Sequence, residues 1–293
     1  MTGVTERTSE PPRLRVRLRA RELYTYREIL WNLVRKELKV KYTASVLGAV
    51  WSLLNPVVFL AVFTFVTKVL KGNIKDYAAF LLAGLLAWNL FSVSLSNGAQ
   101  SVIANANLVK KVYFPREILP LATVGVCLVD FVLQSLVLVV FFVVFYGFQL
   151  DVLWVYPFAF VALLLITVAI TMFVSALNVR YRDVQHLIGL ALLVWFWMTP
   201  IVYAAASVRT SMLEFANGSA ILWRVYLLNP LTWVVMGFQR ALYHSGDGPL
   251  TPVPYSAGQL AVALTIVSAI AAVAVYLAWR LYFAMSGDFA EEL

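Results

Sequence analysis

The chain has 293 residues, of which 62% are hydrophobic and 13% charged, with a mean hydropathy of +0.82 and a formal net charge of +8. That usage excludes an ordinary soluble globular domain and indicates a multi-spanning membrane protein. The single cysteine, Cys127, excludes a disulfide framework, and His186 and His244 lack ligand-spaced neighbours, so no metal site is expected.

The first 41 positions hold 11 of the 23 Lys and Arg residues, a placement that suits an anionic lipid surface rather than nucleic acid. Arg13, Arg15, Arg17, Arg19 and Arg21 alternate strictly. A helix would scatter them over every face, so an extended or disordered basic arm is expected. Such an arm serves either as an anchor on anionic lipid or as a contact for a phosphorylated lipid or a protein partner. From Ala20 to Tyr42, the residues Leu23, Tyr26, Leu30, Val34 and Leu38 recur at steps of three or four, with Arg27, Arg35, Lys36 and Lys39 elsewhere around the helix. This predicts an amphipathic helix lying along the cytosolic membrane interface. No cleavable signal peptide is expected, because no short apolar region with a small-residue cleavage site follows the N-terminus.

Charge-free intervals then predict six crossings: Tyr42 to Thr67, Tyr77 to Val109, Phe131 to Leu150 with a start near Pro120, Val152 to Val179, Val184 to Val208, and Gly248 to Trp279. With both termini in the cytosol, inner segments carry 17 Lys and Arg and outer segments 6, so the positive-inside rule favours that orientation. Lys68, Lys71 and Lys75 in the first outer loop run against it. Residues 1–42 form the arm and interface helix, 43–281 the transmembrane domain, and 282–293 a cytosolic tail.

Between the second and third crossings lies a basic island, Asn105 to Leu121. Leu108, Val109, Lys110, Lys111, Val112, Tyr113 and Phe114 form an amphipathic turn with an aromatic centre and a basic rim, and Pro115 marks a corner before the next helix. Such a turn fits a groove on a cytosolic protein, while a plain basic loop would also satisfy topology. Asp130 is the clear ionisable group within a crossing. A hydrated vestibule or a partner such as Arg182 could hold it in a structural role, or it could handle substrate or protons. Val208 to Tyr243 is too short in its apolar part for a comfortable crossing and reads as one or two outer re-entrant or surface helices, with Asn229 and Pro230 at an N-cap and first helical position. Tryptophans usually mark lipid interfaces, but Trp195, Phe196 and Trp197 cannot all face one interface. Aromatic faces in a pore would instead stack on a sugar chain. Pro56 and Pro200 interrupt helices, as membrane paths often require.

No GxxxxGK[ST] phosphate loop, GxSxG elbow or HExxH motif occurs, so no catalytic residue is assigned and energy must come from another chain. ELKVKYTASVLGAVWSLLNP, FLLAGLLAWNLF, NANLVKKVYFPREILPLA, RYRDVQH followed by WMTPIVY, LLNPLTWVV and the terminal FAEEL occur in one order. In these blocks the chain resembles the membrane subunits of ABC-2 type exporters for lipid-linked polysaccharides, the group that includes O-antigen, teichoic acid and galactan exporters.

The resemblance implies an all-α membrane subunit in the bacterial cytoplasmic membrane, paired with a second copy and carried on two ATPase subunits that bind ATP and magnesium. It has no cofactor of its own and no nucleic-acid partner. It places a coupling helix at about 105–114 and outer gate helices within 208–243. It also implies a channel between the two copies, ringed by Trp51, Trp88, Trp195, Trp197 and Tyr203. Arg27, Asp130, Arg180 and Arg182 become possible contacts for the lipid head or its vestibule. The implied cargo is a polyprenyl-diphosphate-linked glycan, with a lean toward galactan from the basic, Ala- and Val-rich sequence. Two rivals stand beside it. One is an ABC-2 exporter of a drug or small lipid. The other is an integral-membrane glycosyltransferase or acyltransferase, for which only Asp151, Asp247 and His244 are available and form no motif.

Overall fold

The computed structural model describes residues 16–43, 77–146, 151–243 and 252–293, with residues 54, 57, 58, 61, 62 and 65 of the stretch between. Among the described residues every regular element is a helix. Most of the first predicted crossing, Trp51, Pro56, His244 and Asp247 lie outside the described residues. The six isolated positions are helical, exposed, and spaced at three and four.

Four described helices are long and apolar enough to cross a bilayer: α3 (Tyr77–Ala104), α5 (Ile118–Tyr146), α6 (Val155–Arg180) and α11 (Ala257–Met285). Their starts follow local chemistry. Pro120 sits in the first turn of α5, where its missing N–H costs no hydrogen bond. Ser256 and Gln259 form a reciprocal capping box at the start of α11. The most apolar stretch of α3 is 83% buried and that of α11 only 22%, so α3 is the inner helix while α11 turns most of its surface outward.

The main core joins α3, α5, α6 and α11 through Phe91, Phe131, Leu163 and Leu264. Gly98 permits a close α3–α6 approach: a Cβ there would lie 2.1 Å from Thr171 Cγ2. In lipid, where chain tails are as apolar as leucine, such close backbone packing and interhelical hydrogen bonds hold helices together. Asn178, fully buried on α6, supplies two of these bonds. Its Nδ2 donates to Ala99 O at 2.9 Å, and its Oδ1 accepts from Gln185 N at 3.1 Å.

The N-terminal region differs from the expected extended arm. From Val16 the chain is helical, as α1 (Val16–Thr25) and α2 (Arg27–Thr43), with a break at Tyr26. Arg17 and Arg21 are exposed on one side of α1, and Arg19 turns to the other. Arg17, Arg19 and Arg21 are thus scattered around the helix, but the inward one meets a carboxylate; Arg13 and Arg15 lie outside the described residues. The apolar face of α2 also packs on protein: Leu33 and Val34 are buried in a second core with Val109, Phe114, Ile118 and Tyr282.

The predicted fifth crossing is broken. Helix α7 (Val184–Trp197) is apolar but has 14 residues. That is about 21 Å of rise, short of a bilayer core of about 30 Å. A turn through Pro200 leads to three short helices, where one or two were expected: α8 (Ala205–Phe215), α9 (Ile221–Tyr226) and α10 (Pro230–Leu242). Asn217 and Gly218, with φ of 49° and 85°, make the left-handed turn between α8 and α9.

Candidate functional site

The island folds into a short helix, α4 (Ala106–Lys111), followed by a corner at Val112 to Glu117. Asn105 separates it from α3, and its side chain donates to Ser101 O at 2.9 Å, satisfying a last-turn carbonyl of α3. The site residues then divide. Val109 and Phe114 are buried anchors, Leu108 is partly buried, and Lys110, Lys111, Val112 and Tyr113 are exposed. Tyr113, at 80% exposed, is the protruding ring.

A surface cleft of about 460 Å³ opens beside this face, between the island and Arg19, Phe283 and Ser286. Its floor is held by polar bonds that converge from three directions. Glu117 is fully buried, and both of its oxygens accept from Arg19, at 2.8 Å from Nε and 2.7 Å from Nη2. Trp279 Nε1 on α11 also donates to Glu117, at 3.2 Å. Arg19 bonds Glu22 at 2.7 Å and lies over the Phe283 ring at 5.0 Å. Burial disfavours the charged form of Arg19, but its bonds to Glu117 and Glu22 outweigh this and hold the guanidinium protonated beyond its ordinary range. Arg116 is pinned at both ends: its guanidinium donates to Ser286 O, and its carbonyl accepts from Tyr282 Oη at 2.9 Å.

A short helix, α12 (Phe289–Glu292), lies against α4 and α6, with Phe289 buried edge-on to Tyr282 at 5.4 Å. The pairing of Arg19 with Glu117, and Asn178, escaped the sequence reading. The signal was present for Glu117, an acid flanked by Pro115 and an apolar run, but its partner lies 98 residues away.

Asp130 does not meet Arg182. Lys41 Nζ donates to its Oδ2 at 2.5 Å and Tyr42 Oη to its Oδ1 at 2.6 Å, so the end of α2 supplies both partners. Partial burial disfavours the Lys41 cation, and the hydrogen bond and charge of Asp130 more than restore it, leaving the pKa raised. Arg182 instead stands exposed in the turn before α7, beside Arg180, whose guanidinium rests 5.8 Å from the Tyr181 ring centre. Arg27 is exposed on α2 over Tyr24, at 4.5 Å. These three arginines share exposure but are not brought into one pocket with Asp130.

The aromatics also divide. Trp88 is buried, edge-on to Phe196 at 5.4 Å, and Phe91 meets Trp195 at 5.1 Å, so these rings pack α7 onto α3. Trp195 Nε1 donates to Asn229 Oδ1 at 2.9 Å. Asn229 also accepts from Leu231 N at 3.1 Å as the expected N-cap of α10, and donates to Thr199 Oγ1 at 3.1 Å. Trp197 is 60% exposed, and its carbonyl accepts from Tyr203 Oη at 2.7 Å. Trp88 and Trp195 thus build the subunit interior, while Trp197 and Tyr203 keep ring surface at the turn.

Comparison with known proteins agrees with this architecture. The pattern described as ABC-2 type transporter matches residues 28–243. The chain is 33% identical over 224 residues to an O-antigen export system permease protein RfbA of Myxococcus xanthus, covering 76% of this chain and 83% of the relative. It is 35% identical over 181 residues to an RfbA permease of Klebsiella pneumoniae, covering 61% and 70% respectively. A helical subunit with four bilayer-length helices, matched by the ABC-2 pattern over most of its length, is an integral membrane protein of the ABC-2 type transporter family.

Proposed function

We propose that this chain is the membrane subunit of an ATP-driven exporter that carries a polyprenyl-diphosphate-linked polysaccharide across the bacterial cytoplasmic membrane. The observation that carries this reading is the likeness, over 76% of the chain, to a permease named for O-antigen export. Two copies of the chain, with both termini in the cytosol, would sit on two ATPase subunits that hold ATP and magnesium.

The island suits the receiving end of such a machine. Lys110, Lys111, Val112 and Tyr113 project from a turn whose buried anchors and ionic floor let it move only with the helices behind it. A force applied to Tyr113 by ATPase closure is then passed to α5 and α11 rather than absorbed locally. Arg27, Arg180 and Arg182 are exposed cations suited to a diphosphate head. Asp130, held by Lys41 and Tyr42, takes a structural role.

For the sugar chain, Trp197 and Tyr203 offer stacking surface between the two copies, and Trp88 and Trp195 hold α7 behind them. Stacking on neutral, hydroxyl-rich sugars is weak at each site, which permits sliding where tight binding would stall. Galactan is the favoured glycan.

The test is affinity capture of this chain from its native membranes to identify an ATP-binding-cassette ATPase bound to it, joined to mass spectrometry of lipids from cells depleted of this chain. Capture of the ATPase and accumulation of a glycan on polyprenyl diphosphate are expected. Accumulation of an unglycosylated small lipid, with no lipid-linked glycan, would overturn the reading.

A further inference from the structure

We propose that α1 and α2 form a strap that sets the orientation of the island, and that Arg19 is a positioning residue for passing ATP-driven motion into the membrane helices. This rests on the reading that an ATPase docks on the island.

The strap touches α5 and its entrance at three points that occur in the same order on both partners. Arg19 binds Glu117, just before α5. Val34 lies against Gly125, where an added Cβ would come within 3.0 Å of Val34 Cγ2. Lys41 and Tyr42 bind Asp130. The outer two points are ionic and span 13 residues of α5, about 20 Å of rise. The strap therefore fastens the first half of α5 at both ends, with a tight apolar contact between.

The Arg19 fastening is the one that reaches the island. Glu117 stands three residues after Phe114, and through Trp279 and Phe283 the same node includes the end of α11. A buried carboxylate held bidentately by one guanidinium has a narrow angular range, because both N–H···O bonds must stay aligned. Tilting the island alone would break that fork or leave a charge unpaired away from water. Motion of Tyr113 must then carry α1, the head of α5 and the end of α11 together. An apolar contact of the same size would fill the space without fixing the angle.

The experiment uses the full chain, co-purified with the ATPase captured in the preceding test, in lipid nanodiscs. Cys127 is replaced by Ala, and Phe215→Cys is introduced at an 84% exposed position at the end of α8, far in sequence from the strap. The readouts are the amount of ATPase captured, and the rate of maleimide labelling with ATP plus vanadate against ADP.

The single change Arg19→Met strands the Glu117 charge and is expected to lower the yield of complex. The double change Arg19→Met with Glu117→Gln removes both charges at similar volume and keeps an acceptor for Trp279 Nε1, so it should assemble as the native chain does. It should nevertheless lose the difference in labelling between the two nucleotide states, and Arg19→Lys should keep part of that difference. A double variant that assembles and retains the native difference overturns the strap proposal alone. So does a native complex whose labelling ignores the nucleotide, since no motion then reaches α8. Failure of the native chain to capture the ATPase overturns the functional reading beneath it.

Discussion

Tyr113 and Phe114 are neighbours in the chain and face opposite ways: Tyr113 is 80% exposed, whereas Phe114 is 4% exposed and packed in the core shared by α2, α5 and α11. The two rings, alike in the sequence pattern, have separate duties. One can reach a partner and the other holds the turn that presents it.

Their substitutions should therefore separate. Tyr113→Ala is expected to leave insertion and thermal stability near native and to reduce capture of the ATPase or its coupling to transport. Phe114→Ala should destabilise the chain by about 3–5 kcal/mol, as large-to-small changes in packed cores do. Thermal unfolding in detergent beside ATPase capture checks this. Equal stability loss in both variants would refute the division.

Gly98 is predicted to tolerate no side chain while Thr171 keeps its methyl. Gly98→Ala places a Cβ 2.1 Å from Thr171 Cγ2, so α3 and α6 must part, at a cost of about 1–3 kcal/mol. Thr171→Ser removes that methyl. The double variant should recover most of the lost melting temperature, and a double variant no better than Gly98→Ala would show that the clash lies elsewhere.

Asp130 is expected to act through Tyr42 more than through Lys41. The lysine side chain is 44% exposed, where solvent screens an ion pair. Lys41→Met should cost at most about 1 kcal/mol. Asp130→Ala removes the carboxylate from both bonds and should cost more, in the range of about 1–3 kcal/mol for a lost charged hydrogen bond. A double-mutant cycle on Asp130 and Tyr42, read by thermal unfolding, measures the coupling, and zero coupling would remove the bond from the account.

Asn229 joins three segments, and its variants should rank by how many bonds survive. Asn229→Asp keeps the oxygen that caps α10 and accepts from Trp195, but loses the donation to Thr199 and Met198. Asn229→Ala loses all of these, including a cap that contributes about 0.5–2 kcal/mol. Limited proteolysis between α8 and α10 should speed up more in the alanine variant than in the aspartate variant. Equal rates in the two variants would mean that the Thr199 bond, which both lose, and not the cap, holds the turn.

The helices were legible wherever a property is local. Long charge-free runs outlined α3, α5, α6 and α11, and Asn229 with Pro230 announced α10. Pro115 marked the corner after α4. The strict arginine alternation misled, because it was weighed against a helix in water. A helix that scatters arginines is unfavourable only until one of them, here Arg19, finds a buried acid. Pro200 signalled an interruption, but the apolar run carried the expected fifth crossing on to Val208; Asn229 and Gln239 bond the carbonyls of Met198 and Pro200 and stabilise a turn there instead.

By itself the sequence determined that this is a helical membrane protein of the ABC-2 type, that it lacks a phosphate loop of its own, and where its exposed basic island falls. Those follow from composition, from runs of apolar residues and from motif order, all of which are written along the chain. Only the tertiary structure decided which ring of the island is free, that Asp130 belongs to Lys41 and Tyr42, and that Arg19 neutralises Glu117. The physical reason is that a buried charge is viable only with a partner in three dimensions, and these partners stand 88 to 98 residues apart.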